Sequence, residues 1–187
     1  MKISGVILAA GEGRRIGIPK AILKINGNFL ADIQFELLNS AGIEEIKIVA
    51  GADSDRVKNE LKYRENVVVN ENYRCGQFSS LVAGIKSLRC FDRLVVLPVD
   101  VYPIERDTII EVISGFDTES DAAVPVYQGK RGHPVVLSYG FTQKLLLYDI
   151  ENSRLDRILW EVKVREIKVR SKSVLNNINT PYDLRGT

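Results

Sequence analysis

The chain has 187 residues, 45% of them hydrophobic and 27% charged, with a formal net charge of +2 at neutral pH. That length suits one domain burying roughly 70% of its unfolded surface, and so balanced a charge does not imply a nucleic-acid surface, leaves room for a local basic pocket and points to a small-molecule partner. Two cysteines, Cys75 and Cys90, without a C-x-x-C pair, a single histidine, and no apolar run approaching ~20 residues argue against a disulfide framework, a structural zinc site and a membrane span, so a soluble cytoplasmic protein with no signal peptide is expected.

The first element is the run Val6-Ile7-Leu8-Ala9-Ala10, which reads as a strand buried on both faces and stops at Gly11. A glycine-rich basic loop follows, with Gly11, Gly13 and Gly17 interleaved with Arg14, Arg15 and Lys20. Missing side chains let main-chain N–H groups approach an anion, and α/β folds build phosphate sites at this end of the sheet. The same spacing also suits a plain turn with solvated basic residues; strand context and charge together favour the anion site.

Beyond the loop, Leu30, Ile33, Leu37, Leu38 and Ala41 recur at helical spacing, and Gly42 stands where such a helix ends. Glu45 to Ala50 reads as a strand, Asp53-Ser54-Asp55 as a cap for a helix carrying Val57 and Leu61, and Asn66 to Asn70 as a third strand. Phe78, Leu81, Val82, Ile85 and Leu88 mark another amphipathic helix, Arg93 to Asp100 a second strongly buried strand, and Glu105 to Ser114 a helix. The second half is less regular. Ala122 to Tyr127 and Pro134 to Leu137 read as strands around the turn Gln128 to Gly132, Leu145 to Tyr148 and Leu155 to Trp160 as helical pieces, and Val164 to Val169 and Val174 to Ile178 as strands. The alternation predicts a three-layer α/β/α, doubly wound, mostly parallel, Rossmann-like sheet with a small antiparallel excursion in the C-terminal half.

Several residues carry chemistry. An aspartate closing an apolar strand is costly to leave unpaired, so Asp100 is a candidate magnesium ligand, the alternative being a cap on the next turn. Gly76 allows close approach, and Ser79 or Ser80 either caps the following helix or meets a ligand. Lys130, Arg131 and His133 lie on a turn where they can contact an anion, although a histidine bonded within the fold is equally consistent. Asn177 and Asn179 can bond a ligand or nearby loops but are poor magnesium ligands. Cys75 has no histidine beside it to make it a nucleophile.

These stretches also carry a resemblance. LAAG-x-G-x-R-I-G-x-P-K, N-x-x-x-x-x-G-x-x-x-S from Asn70, R-G-H-P-V from Arg131 and N-I-N-T-P-Y-D-L from Asn177 resemble, in order, motifs of the molybdenum cofactor cytidylyltransferases and guanylyltransferases. The resemblance implies the nucleotide-diphospho-sugar transferase fold over residues 1–187, with a nucleotide-binding half to about residue 115 and an acceptor-side half beyond it. It assigns Leu8, Ala9, Ala10, Gly11, Gly13, Lys20, Asn70, Gly76 and Ser80 to the nucleotide, Arg15, Lys20 and Asp100 to catalysis, and Asp100 to the metal. Arg131, His133, Asn177 and Asn179 go to the acceptor.

The implied reaction moves a nucleotidyl group from a nucleoside triphosphate, CTP first and GTP second, to a phosphorylated small molecule, with magnesium as cofactor and pyrophosphate released. Molybdopterin is the implied acceptor; sugar, polyol or amino-alcohol phosphates would use the same loop. An attacking phosphate is already ionised near neutral pH, so no general base is needed. The chain departs from the pattern at Val99, where the family has glycine, and at Asp149 to Arg154, where two glycines are missing. A non-catalytic nucleotide-binding module and a small phosphate-binding hydrolase remain alternatives.

Overall fold

Two apolar strands stand side by side at the centre of the sheet. The computed structural model describes residues 1–180 and 183. Strand β1, Ile3–Leu8, pairs in parallel with β6, Arg93–Pro98, on one side and with β4, Glu45–Ala50, on the other. Alternation decides the layers: Val6, Leu8, Leu94 and Val96 point into one hydrophobic cluster, and Ile7, Val95 and Leu97 into the other. Burial on both faces is why these strands carry no polar alternation.

The cluster of Ile7, Val95 and Leu97 is covered by α1, Leu30–Ser40, α2, Ser54–Glu60, and α4, Arg106–Gly115. The cluster of Val6, Leu8, Leu94 and Val96 is covered by α3, Gln77–Ser87, α5, Tyr139–Leu145, and α6, Leu155–Ile158. A two-residue hairpin, β2 Lys24–Ile25 and β3 Asn28–Phe29, lies between β1 and α1. The sheet is completed by β5, Val67–Val69, β7, Ala122–Tyr127, β8, Lys130–Arg131, β9, Val135–Ser138, and β10, Val164–Lys168. Its order is β10-β7-β9-β6-β1-β4-β5, with β8 paired on β7. The antiparallel excursion therefore enters the middle of the sheet, because β9 pairs antiparallel with both β6 and β7. Among the described residues, no helix is long and apolar enough to cross a membrane.

The sequence reading needs four corrections. Ala9 and Ala10 lie beyond β1, although Ala9 still donates to the Val49 carbonyl at 2.9 Å. Asp53 takes a left-handed backbone, with φ at 53°, and makes no side-chain cap on α2. The helix expected at Leu145 to Tyr148 instead spans Tyr139–Leu145, where the Ser138 hydroxyl accepts from the Phe141 N–H at 3.1 Å and fixes its start. Val174 to Ile178 is not a strand. A 3-10 turn, Lys172–Leu175, opens it, and its main chain bonds individual loop atoms: His133 N–H donates to Val174 O at 2.9 Å, and Ile178 N–H to Asp100 O at 2.8 Å.

Candidate active site

The register sets Leu8 of β1 level with Val49 of β4 and Pro98 of β6, so the loops leaving these ends diverge from one edge and leave a cleft. A cavity of about 520 Å³ opens there, lined by Leu8 through Arg14, Lys20, Tyr73, Arg74, Gly76, Gln77, Ser80, Val99 and Asp100.

One wall is the glycine-rich loop. Gly13 adopts φ of 62°, and a Cβ there would run into the Ile18 carbonyl, so only glycine fits. Its own carbonyl accepts from the Ile16 and Gly17 N–H groups, both at 2.8 Å, which folds the loop back on itself. Among the described residues, the N–H groups of Ala10 through Arg15 donate to no protein acceptor. Successive unpartnered N–H groups at the mouth of a cavity form an anion-binding concavity. Arg14 is paired with Glu12, and that hydrogen bond holds the Glu12 carboxyl below its usual range, with Arg74 across the mouth adding a smaller pull.

Opposite the loop, Lys20 Nζ donates to Asp100 Oδ2 at 2.6 Å and to Asn179 Oδ1 at 3.0 Å. Asn179 is held by its neighbours: Asp183 Oδ2 accepts from Asn179 N–H at 2.8 Å, Thr180 N–H at 2.7 Å and Thr180 Oγ1 at 3.1 Å. These bonds, with a further pull from the Lys20 charge, keep the Asp183 carboxyl below its usual range. The rest of that motif, Pro181, Tyr182 and Leu184, lies outside the described residues. Among the described residues, no group of three or more His, Cys, Asp or Glu gathers to hold a metal unaided. One carboxylate, with an amide oxygen as a weaker neighbour, beside a phosphate-sized cleft fits a divalent cation that takes its remaining ligands from water and phosphate.

The far wall is a buried polar network. Asn70 is buried; its Nδ2 donates to Ser79 Oγ at 2.9 Å and Ser80 Oγ at 3.0 Å, and its Oδ1 accepts from Asn72 N–H at 3.0 Å. Ser79 donates on to main-chain carbonyls, those of Asn72 at 2.8 Å or Gly76 at 2.7 Å. Ser80 accepts from Asn70, has no acceptor for its own proton among the described residues, and lines the cavity. Gly76, with φ of 100°, makes the turn that brings Tyr73 and Arg74 to the mouth.

The structure thus gathers Leu8, Ala9, Ala10, Gly11, Gly13, Lys20, Gly76, Ser80 and Asp100 on one cavity, and Asn179 joins them through Lys20. The other expected residues stand elsewhere. Arg15 is exposed outside the lining, where its neighbour Arg14 stands instead. Asn70 lies behind Ser80. Arg131 turns away to Glu166 at 2.9 Å and stacks its guanidinium 4.0 Å over Trp160, while Asn177 is exposed and bonds Leu175 O at 3.3 Å. His133 is outside the cavity lining, with its Nδ1 buried and unpartnered among the described residues; burial holds its pKa below the usual value, against the opposing pull of Asp100. Sequence reasoning overlooked Tyr73, Arg74 and Gln77. The signal was there, a cation beside the glycine that precedes a helix.

The sequence profile of the MobA-like NTP transferase domain matches residues 5–165. A nicotine blue oxidoreductase of Paenarthrobacter nicotinovorans is 32% identical over 148 residues, covering 74% of this chain and 72% of that protein. A probable molybdenum cofactor guanylyltransferase of Geobacillus sp. (strain WCH70) is 24% identical over 189 residues, covering 97% of this chain and 96% of that one. The crystal structure of molybdopterin-guanine dinucleotide biosynthesis protein A from Archaeoglobus fulgidus superposes with a TM-score of 0.70 at 20% identity, over 99% of this chain and 95% of the other. Because the profile spans most of the chain and the fold agrees with it, the chain belongs to the MobA-like NTP transferase family.

Proposed function

We propose that this nucleotidyltransferase moves a GMP group from GTP to a phosphorylated acceptor of the molybdopterin type, releasing pyrophosphate. The observation that carries the reading is the row of unpartnered N–H groups from Ala10 to Arg15 facing Lys20 and Asp100 across one cavity. That concavity suits a triphosphate, and the residues from about 116 onward supply the acceptor side. GTP replaces the sequence reading's CTP because relatives matching nearly the whole chain are named guanylyltransferases, and the ending N-I-N-T-P agrees with them. CTP remains the competitor, favoured by the LAAG loop and R-G-H-P-V.

In the proposed reaction an acceptor phosphate oxygen attacks the α-phosphorus in line. A new P–O bond forms, the bond to the β-phosphate oxygen breaks, and its electron pair leaves with pyrophosphate. The loop N–H groups and Lys20 hold the β- and γ-phosphates where negative charge grows, and Arg74 closes the mouth. Magnesium, when bound, neutralises phosphate charge, and Asp100 with Asn179 would hold it. Ser80 offers its proton to the nucleoside.

The test is pyrophosphate release from GTP and from CTP with magnesium and molybdopterin, alongside a thermal-shift panel. A ligand at ~100 times its Kd stabilises by about 2.7 kcal/mol. Release that requires molybdopterin and prefers GTP supports the reading. Release only with sugar, polyol or amino-alcohol phosphates moves the acceptor, and binding without turnover makes the chain a nucleotide-binding module. The 32%-identical nicotine blue oxidoreductase supports a second reading, oxidoreduction at this cavity; turnover of nicotine blue, with neither stabilisation by nucleoside triphosphates nor pyrophosphate release, would favour it and overturn the first.

A further inference from the structure

The oxygens suited to a divalent cation are already held by a cation of the protein's own. The Lys20 ammonium is shared between Asp100 Oδ2, at 2.6 Å, and Asn179 Oδ1, at 3.0 Å. Neither acceptor is free to move off. Asp100 stands two residues beyond β6, and its carbonyl accepts from Ile178 N–H at 2.8 Å, which ties the segment bearing Asn179 to the same strand end. Asp183 then fixes the Asn179 main chain from the other side.

A magnesium ion lies about 2.0–2.1 Å from its oxygen ligands, so on either oxygen that Lys20 bonds it would sit directly beside the ammonium. Placing it on the remaining Asp100 oxygen would leave a divalent cation beside an ammonium. Only 20% of the lysine side chain and 25% of the aspartate side chain are exposed, which leaves little water to screen that repulsion. Arg14 repeats the pattern, since Glu12 holds it at the edge of the same cavity. Of the cations lining the cavity, Arg74 alone has no ion pair among the described residues. The free protein therefore offers an anion its loop N–H groups and Arg74, and offers a metal almost nothing.

We propose that Lys20 stands in for the metal in the free protein, so that a divalent cation binds at Asp100 and Asn179 only once a triphosphate has drawn the Lys20 ammonium onto its own oxygens. Lysine suits this role because its charge is compact and rides on a flexible four-carbon stem. Metal and nucleotide binding are then positively coupled, and the coupling runs both ways. The inference rests on the proposed function insofar as it takes Asp100 for the metal's residue.

The test is a titration of Mn²⁺, followed by its electron paramagnetic resonance signal, into nucleotide-free wild type, Lys20→Met and Lys20→Met/Asp100→Asn. Lys20→Met is expected to bind Mn²⁺ about tenfold or more tightly than wild type, within the usual range of coupling between sites, and the double variant to lose that gain. The same Lys20→Met protein is expected to bind GTP more weakly than wild type. Damage to the fold cannot produce two changes of opposite sign, and Lys20→Gln serves if the methionine variant does not fold. Equal Mn²⁺ affinity in wild type and Lys20→Met, or a gain that survives Asp100→Asn, overturns the inference while nucleotide binding stands. Absence of any nucleotide shift in the wild type would instead sink the proposed function.

Discussion

The two walls of the cavity are built on opposite principles. At the loop wall, N–H groups from Ala10 to Arg15 lack protein partners among the described residues, and the cations Arg14 and Lys20 rest on Glu12 and Asp100. At the far wall, Asn70, Ser79 and Ser80 are buried and bonded to one another, with one hydroxyl proton left over. The difference teaches what each wall can offer a ligand under the proposed function. Unsatisfied donors and exchangeable ion pairs bind a highly charged group by being released to it. A saturated network holds one donor in a fixed direction and so discriminates by orientation.

The largest effect should come from the charged wall. Lys20→Ala or Asp100→Asn is expected to lower kcat/KM for nucleotidyl transfer by about 10²–10³, the usual cost of one transition-state donor. Steady-state pyrophosphate release measures it, and a thermal shift with GTP that persists unchanged in Lys20→Ala would break the assignment of this wall to phosphate.

Gly13→Ala should be next. It forces alanine into a left-handed backbone against the Ile18 carbonyl, with an expected stability loss of about 1–3 kcal/mol by chemical denaturation and loss of GTP binding. Retained stability with retained binding would show that the loop's shape is dispensable.

At the other wall, Asn70→Asp replaces a double donor with an acceptor, so Ser80 must turn its proton inward. The expected cost is about 1–3 kcal/mol of stability for the unmade buried bonds. Nucleotide preference should change while inhibition by pyrophosphate stays as in wild type. If pyrophosphate inhibition weakens equally, the two walls are not independent.

The smallest effect is a pH dependence at His133. Its folded pKa is depressed by burial, so below its ordinary value, roughly 6.5, the unfolded chain takes up a proton that the folded chain resists. Its contribution is present above that pH and is lost as pH falls below it. The wild-type thermal midpoint should decline from pH 7 to 5 more steeply than that of His133→Gln; equal slopes would remove histidine from the account.

Much of the central sheet was legible because a strand buried on both faces must be apolar throughout, and Val6 to Leu8 and Leu94 to Leu97 are. The loop was legible for a similar reason, since Gly13 is demanded by local sterics. Less local features were not. Val174 to Ile178 has a strand's composition, yet its main-chain groups found Asp100 and His133 rather than a sheet partner. Arg14 and Arg15 are adjacent and alike in charge, and only the loop's path decides which one lines the cavity. Asn70 has the residue type of a ligand contact, yet burial makes it a support for Ser80.

By itself, the sequence determined which segments could be strands, where the chain had to turn through glycine, and that a glycine-rich loop carrying Arg14, Arg15 and Lys20 follows the first strand. These follow from side-chain size, polarity and backbone sterics within a few residues. Only the tertiary structure decided that Lys20 would be shared between Asp100 and Asn179, partners 80 and 159 positions away. The physical reason is that a hydrogen bond is a matter of ångströms. Sheet order and the return of the C-terminal segment set those distances, and no local pattern encodes them.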